Sequence, residues 1–225
     1  MISKFKQFKS RIKLLSDLKQ KRREREFQNS EAYWESRYAK GGTSGAGSYG
    51  RLAHFKAQVL NKFVKEYSIQ SVIEFGCGDG NQLSLAEYPT YFGLDVSPTA
   101  IQSCISRFEQ DPTKRFAVYG AASRSDFQAE LALSLDVVYH LVEDEVFNDY
   151  MRSLFGASGK FVIVYASNQD LPPDVHVRHR KFTDWVTEQA PDWALLRMIP
   201  NRYPFDPNSP DETSFAEFYI FERSL

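Results

Sequence analysis

Apolar positions along the chain follow two periods. Short, nearly unbroken runs occur at Val72-Ile73-Glu74-Phe75, Tyr91-Phe92-Gly93-Leu94, Arg115–Tyr119, Leu131–Leu135 and Lys160–Tyr165. Runs of that length bounded by turn residues read as buried parallel strands. Between them, apolar residues recur every three or four positions. Leu52, Phe55, Val59, Leu60 and Phe63 give residues 51–67 one apolar side, and Phe147, Tyr150, Met151 and Leu154 do the same after residue 143. Those stretches predict helices. Ser97-Pro98 supplies an N-cap and a first-turn proline for another helix, on which Cys104 reads as a small core residue. Two last strands are expected at Trp193–Met198 and Phe215–Phe221, joined by the 201–207 loop. Strands alternating with helices predict an α/β fold with a parallel sheet.

The chemistry concentrates after the first strand. Gly76, Gly78 and Gly80 alternate there, which allows a sharp turn and a close approach of ligand to main chain. Gln82 to Ala86 is expected to open a helix whose free N–H groups face that ligand. The second strand ends in Asp95, at an offset suited to a carboxylate that accepts from ribose hydroxyls; as a plain turn residue it would cap the following helix instead. The glycine spacing is not the G-x-G-x-x-G of dinucleotide sites, and no G-x-x-x-x-G-K-[ST] occurs. Glu74, two residues before the first glycine, would repel a phosphate but suits an ammonium group.

Glu74-Phe75-Gly76-Cys77-Gly78-Asp79-Gly80 and Gly93-Leu94-Asp95-Val96-Ser97 resemble the first two motifs of the class I S-adenosylmethionine-dependent methyltransferases. The resemblance runs from about Val72 to the end of the chain. It implies a Rossmann-like three-layer α/β/α sandwich, with a mostly parallel seven-stranded sheet and an antiparallel C-terminal hairpin. It also implies that the glycine loop holds the methionine part of S-adenosylmethionine and Asp95 the ribose. The cofactor-binding set so implied is Glu74, Gly76, Cys77, Gly78, Gly80, Asp95, Val96, Ser97, Ser134 and Leu135. The family often has an acid after strand three; Gly120-Ala121-Ala122-Ser123 stands there instead. Pro172-Pro173 does not match the family's proline motif, because it follows strand five and no aromatic comes after it. Similarity to small bacterial methyltransferases of glycan or natural-product assembly suggests a sugar hydroxyl as acceptor. Some family members hold Mg2+ at the ends of strands four and five, where Asp136 and Asn168 stand.

In a parallel sheet ligands gather at the carboxyl ends of the strands. His140 and Asp136, at the exit of strand four, are therefore the catalytic candidates, His140 as base and Asp136, Glu143 or Asp144 as its orienter. A histidine bonded to backbone near a helix start is the structural alternative. Tyr38, Tyr49, Arg51, His176 and His179 are candidates for acceptor contacts, and Arg37 or Arg51 for the cofactor carboxylate. The His176–Lys181 basic cluster is either a solvated charge run or a rim for a polar acceptor.

Charge adds a division of the chain. Residues 1–26 hold ten basic and three acidic residues, the remainder 18 basic and 26 acidic. An acidic body is a poor nucleic-acid surface. Residues 1–26 read as a basic amphipathic helix that packs on its own domain or a second subunit, or rests on an anionic membrane surface. Residues 1–30 are thus expected to form an N-terminal helix, 31–50 a glycine-rich lid flanked by Trp34, Tyr38 and Tyr49, and 51–225 the catalytic domain. Two cysteines and no apolar run of spanning length point to a reducing, cytoplasmic setting. The competing functions are an NAD-type oxidoreductase and a non-catalytic nucleotide-binding scaffold.

Overall fold

A computed structural model of the chain describes residues 27–120 and 128–224. The expected N-terminal helix of residues 1–26 and Ser123 lie outside the described residues. Seven strands form one sheet: β1 Ser71–Phe75, β2 Thr90–Asp95, β3 Lys114–Val118, β4 Ala129–Leu135, β5 Ser158–Ala166, β6 Trp193–Ile199 and β7 Glu217–Arg223. Their spatial order is β3-β2-β1-β4-β5-β7-β6. β1 pairs in parallel with both β2 and β4, and the parallel ladder continues to β3 and β5. β7 runs antiparallel to β5 and β6, so the C-terminal pair closes the sheet as a hairpin.

Helices cover both faces. α1 is Ser30–Ala39, α2 Gly50–Glu66, α3 Pro98–Arg107, α4 Asp144–Gly156 and α5 Phe182–Gln189. One core layer joins the sheet to Phe147, Met151 and Leu154 of α4 and Phe182 and Val186 of α5. The other joins it to Phe55, Leu60 and Phe63 of α2 and Ile101 and Cys104 of α3. The three-layer sandwich follows from these two apolar faces. α3 starts as its sequence requires, with Ser97 Oγ accepting from the Ala100 N–H and Pro98 in the first turn. One expected helix is replaced. After the glycine turn there is only a 3-10 turn at Leu83–Leu85, because Ala86 returns to extended backbone ahead of β2.

Strand order reverses between β1 and β4, which diverge to β2 and β5 at their carboxyl ends and open a crevice there. Gly76 sits at its base with φ +83, and a Cβ built on it would lie 2.4 Å from Val137 Cγ2. Both the positive φ and the close approach require glycine. Gly76→Ala is expected to cost about 2 kcal/mol of stability, read as a lower midpoint in urea unfolding. Val137→Ala in the same chain should return part of the loss, because the steric part is then relieved.

Candidate active site

The crevice holds a cavity of about 510 Å3. Glu74, Gly76, Cys77, Asp95, Val96, Leu135, Asp136 and His140 all line it, so eight of the residues singled out in the sequence share one space. The other glycines lie beneath that surface. The Gly78 N–H donates to Asp95 Oδ2 at 2.9 Å, and Gly78 packs beneath Ser44 and Tyr38. Gly80 packs against Phe108 and Cys104. Cys104 is buried and its thiol donates to the Gly78 carbonyl, so the loop is tied to α3 as well as to β2. The neighbouring Cys104 and burial push the Cys77 thiol up, which keeps it protonated.

Asp95 also accepts from the Ser97 N–H at 2.9 Å. Two main-chain donors leave lone pairs on both carboxylate oxygens for hydroxyl donors. Burial nevertheless raises its pKa to about 6. Glu74, buried and accepting from the Tyr91 hydroxyl at 2.7 Å, is raised by burial to about 7. At Glu74 burial outweighs even the attraction of the Lys56 ammonium, and at Asp95 it outweighs the two main-chain donors, so both carboxyls gain from a further cation. Ser134 departs from expectation: it accepts from the Tyr150 hydroxyl at 2.7 Å inside the core and does not line the cavity. Ser97 is likewise occupied as the cap of α3. Where the sequence lacks an acid after β3, Tyr119 and Gly120 form the wall.

Asp136 leaves β4 in the left-handed region, with φ 61. Its Oδ2 takes the Lys56 ammonium at 2.5 Å and its Oδ1 the Tyr139 hydroxyl at 2.8 Å. Lys56, on α2, is fully buried, with its ammonium 5.2 Å from the Tyr165 ring centroid. It was not singled out in the sequence, although it interrupts the apolar stripe between Leu52 and Leu60 at helical spacing. Among the described lining residues Lys56 is the one lysine or arginine, against Glu31, Glu74, Asp95, Asp136, Glu143, Glu145 and Asp149.

His140 is packed between rings. Trp34 meets it edge-on at 4.9 Å, and His176 stacks at 5.7 Å and then on Tyr33 at 4.6 Å. Its Nδ1 lies 3.1 Å from the His176 carbonyl, which only accepts, so the proton belongs on Nδ1 and Nε2 keeps its lone pair. Burial lowers the pKa to about 4. The imidazole is neutral at pH 7 and a weaker base than the sequence alone suggested.

The five expected acceptor contacts are not brought to the cavity. Tyr38 is buried against Ser44. The Tyr49 hydroxyl donates to Asp79, and its own pKa is pushed up to about 12 by burial and that carboxylate. Arg51 is paired with Glu212, and His179 with Ser167. Arg37 donates to the Thr43 carbonyl. Within the basic cluster, Arg178 and Arg180 pair with Asp144 and donate to the carbonyls of Leu141 and Val142, while Lys181 stays exposed and pairs with Asp184. The Asp136–Asn168 pair also fails to assemble, because Asn168 is bonded to Thr183 and does not line the cavity. Among the described residues no group of three or more His, Cys, Asp or Glu is placed to hold a metal ion.

Residues 30–49 contribute Ser30, Glu31, Trp34, Ser44 and Ser48 to the cavity wall and are bonded to the rest of the site at three points. Ser30 donates to Glu143 through both its N–H and its hydroxyl. Glu35 accepts from the Ser97 and Thr99 hydroxyls at the start of α3, which holds its carboxyl low. The Ser44 N–H and the Tyr49 hydroxyl donate to Asp79.

No family model matches the chain. A small RNA 2'-O-methyltransferase of Arabidopsis thaliana is 27% identical over 180 residues, which is 64% of this chain but 19% of that protein. The chain thus spans about a fifth of that relative. Among solved structures, the N-methyltransferase NodS of Bradyrhizobium japonicum with S-adenosylhomocysteine matches at a TM-score of 0.66 and 14% identity, over 88% of this chain and all of that one. Magnesium protoporphyrin IX methyltransferase of Synechocystis with bound S-adenosylhomocysteine matches at 0.60 and 13%, over 77% and 85%. The chain has the fold of the S-adenosylmethionine-dependent methyltransferases.

Proposed function

We propose that the chain is an S-adenosylmethionine-dependent methyltransferase that methylates a hydroxyl of a small, sugar-like acceptor. The observation that carries this reading is the meeting of Glu74, Gly76 and Asp95 with Asp136 and His140 on one cavity. Asp95 offers acceptors to ribose hydroxyls, and Glu74 offers a carboxylate to an ammonium. The glycine bend keeps the floor free of side chains. When bound, S-adenosylmethionine supplies a methyl group already activated on sulfonium. The protein's part is to align the acceptor oxygen, exclude water and receive a hydrogen bond from the hydroxyl. His140 Nε2 is the group assigned to that last task, as a weak base and orienter.

Three other readings fit less well. A dinucleotide enzyme wants a long helix whose N-terminus faces a pyrophosphate, and here a three-residue 3-10 turn follows the glycines. A polynucleotide acceptor meets a lining of seven carboxylates and one ammonium, which repels phosphate. A non-catalytic scaffold would bind the same cofactor without turnover. A neutral, polyhydroxyl acceptor is compatible with the aromatic wall of Trp34 and His140.

Calorimetry should show S-adenosylhomocysteine binding in the micromolar range; absence of binding at millimolar ligand removes the reading. Affinity should rise with pH. Glu74 is largely protonated below its pKa of about 7 and ionises above it, so binding of an ammonium-bearing ligand is expected to tighten about tenfold from pH 6 to pH 8. Glu74→Gln should flatten that slope.

With an acceptor found by screening labelled cofactor against sugars, His140→Ala should lower kcat about 100-fold and leave S-adenosylhomocysteine affinity within about twofold. The wild-type kcat profile should lack an inflection near 6.5, because His140 stays neutral down to about pH 4. Near wild-type turnover in the variant takes His140 out of the reaction.

Residues 31–50 are assigned the lid. Cleavage by trypsin at Arg37 and Lys40 should slow when S-adenosylhomocysteine is present. An unchanged digestion rate would mean that the segment does not respond to the site.

A further inference from the structure

The cavity contains a polar group that the fold leaves unsatisfied. Gln82, just past the glycine turn, is 8% exposed and lines the cavity. Its Nε2 donates to the Ala53 carbonyl at 3.1 Å, and its Oε1 is buried with no partner. An orphaned buried acceptor costs about 1–3 kcal/mol. Ala53 and Lys56 both belong to α2, so Gln82 is tied to the helix that carries the ammonium, and both side chains line the cavity. Glu74 lines the cavity with them. One ammonium, one unpaired amide oxygen and one buried carboxyl are the complement of an α-amino acid, which carries one carboxylate and one ammonium.

Lys56 is already engaged by Asp136. A buried ammonium needs a carboxylate, but which one is open. Asp136 keeps 15% of its side chain exposed while Lys56 keeps 1%, so Asp136 is the partner that can leave. Its second oxygen stays anchored by Tyr139. The two arginines considered for a ligand carboxylate are held elsewhere, Arg37 by Thr43 and Arg51 by Glu212.

Resting on the cofactor reading above, we propose that Lys56 and Gln82 seat the amino-acid end of the cofactor, and that Lys56 exchanges Asp136 for the cofactor's carboxylate as it binds. Gln82 Oε1 and Glu74 take the ammonium. The exchange leaves the Asp136 carboxylate without its cation at the cavity wall, on the same turn as His140. Asp136 then becomes an acceptor for a hydroxyl or amine of the second substrate only after the cofactor is in place. The pair therefore sets an order of binding, cofactor first.

The test compares two ligands by calorimetry on the full chain. S-adenosylhomocysteine carries the amino-acid end; 5'-methylthioadenosine carries the same nucleoside and thioether without it. Lys56→Met and Gln82→Leu should each weaken S-adenosylhomocysteine about tenfold or more and leave 5'-methylthioadenosine within about twofold. Asp136→Asn should act in the opposite direction, tightening S-adenosylhomocysteine severalfold, because Lys56 no longer has to give up a carboxylate. The proposal is overturned if the Lys56 and Gln82 variants weaken both ligands alike or neither, or if Asp136→Asn weakens S-adenosylhomocysteine. Retained 5'-methylthioadenosine binding reports a folded site. Should Lys56→Met fail to fold, Gln82→Leu and Asp136→Asn decide the matter between them. A wild-type chain that binds neither ligand would instead sink the cofactor reading itself.

Discussion

The hydrogen bond from the Gly78 N–H to the Asp95 carboxylate holds the candidate site together. It ties the turn after β1 to the end of β2, the two neighbouring strands whose carboxyl ends form one wall of the crevice. The turn can reach Asp95 only because Gly76, Gly78 and Gly80 all take positive φ. Cys104 fixes the same loop from below through the Gly78 carbonyl. Loop, strand and helix are thus stitched at one residue.

The second organising feature is electrostatic. The cavity has far more carboxylates than cations, and its one ammonium is already shared. Burial outweighs the hydrogen bonds and the one nearby ammonium, which is why Glu74 and Asp95 hold their protons to unusually high pH. Such a space favours a ligand bearing positive charge and many donors, and disfavours phosphate. Arg178 and Arg180 are consumed in fixing the carbonyls and Asp144 at the start of α4, and this in turn sets the position of His140.

The segment over the site has a comparable economy. Ser30, Glu35 and Ser44 each bond to a different wall of the crevice: the exit of β4, the start of α3 and the glycine turn. Aromatic packing adds to these bonds: Trp34 lies edge-on to His140 and Tyr33 stacks on His176.

Residues with local signatures were legible from the chain alone. Short apolar runs placed the seven strands, most clearly β1, β4 and β5, where burial on both faces demands continuous apolar residues. Three glycines and an acid at the end of β2 marked the crevice, because backbone conformations of that kind leave few choices of residue. What those signatures could not give was which long side chain reaches the cavity. Tyr38, Tyr49, Arg51, His176 and His179 carry suitable chemistry, yet each is bonded or stacked within the fold, and Ser134 is turned into the core. Lys56 and Gln82 carry no motif and line the site because α2 packs its stripe against the sheet there. The positions of the strands and the turn at the base of the crevice were thus decided by periodicity and glycine placement. The charge within the crevice was decided by packing between elements distant in sequence, which no local pattern encodes.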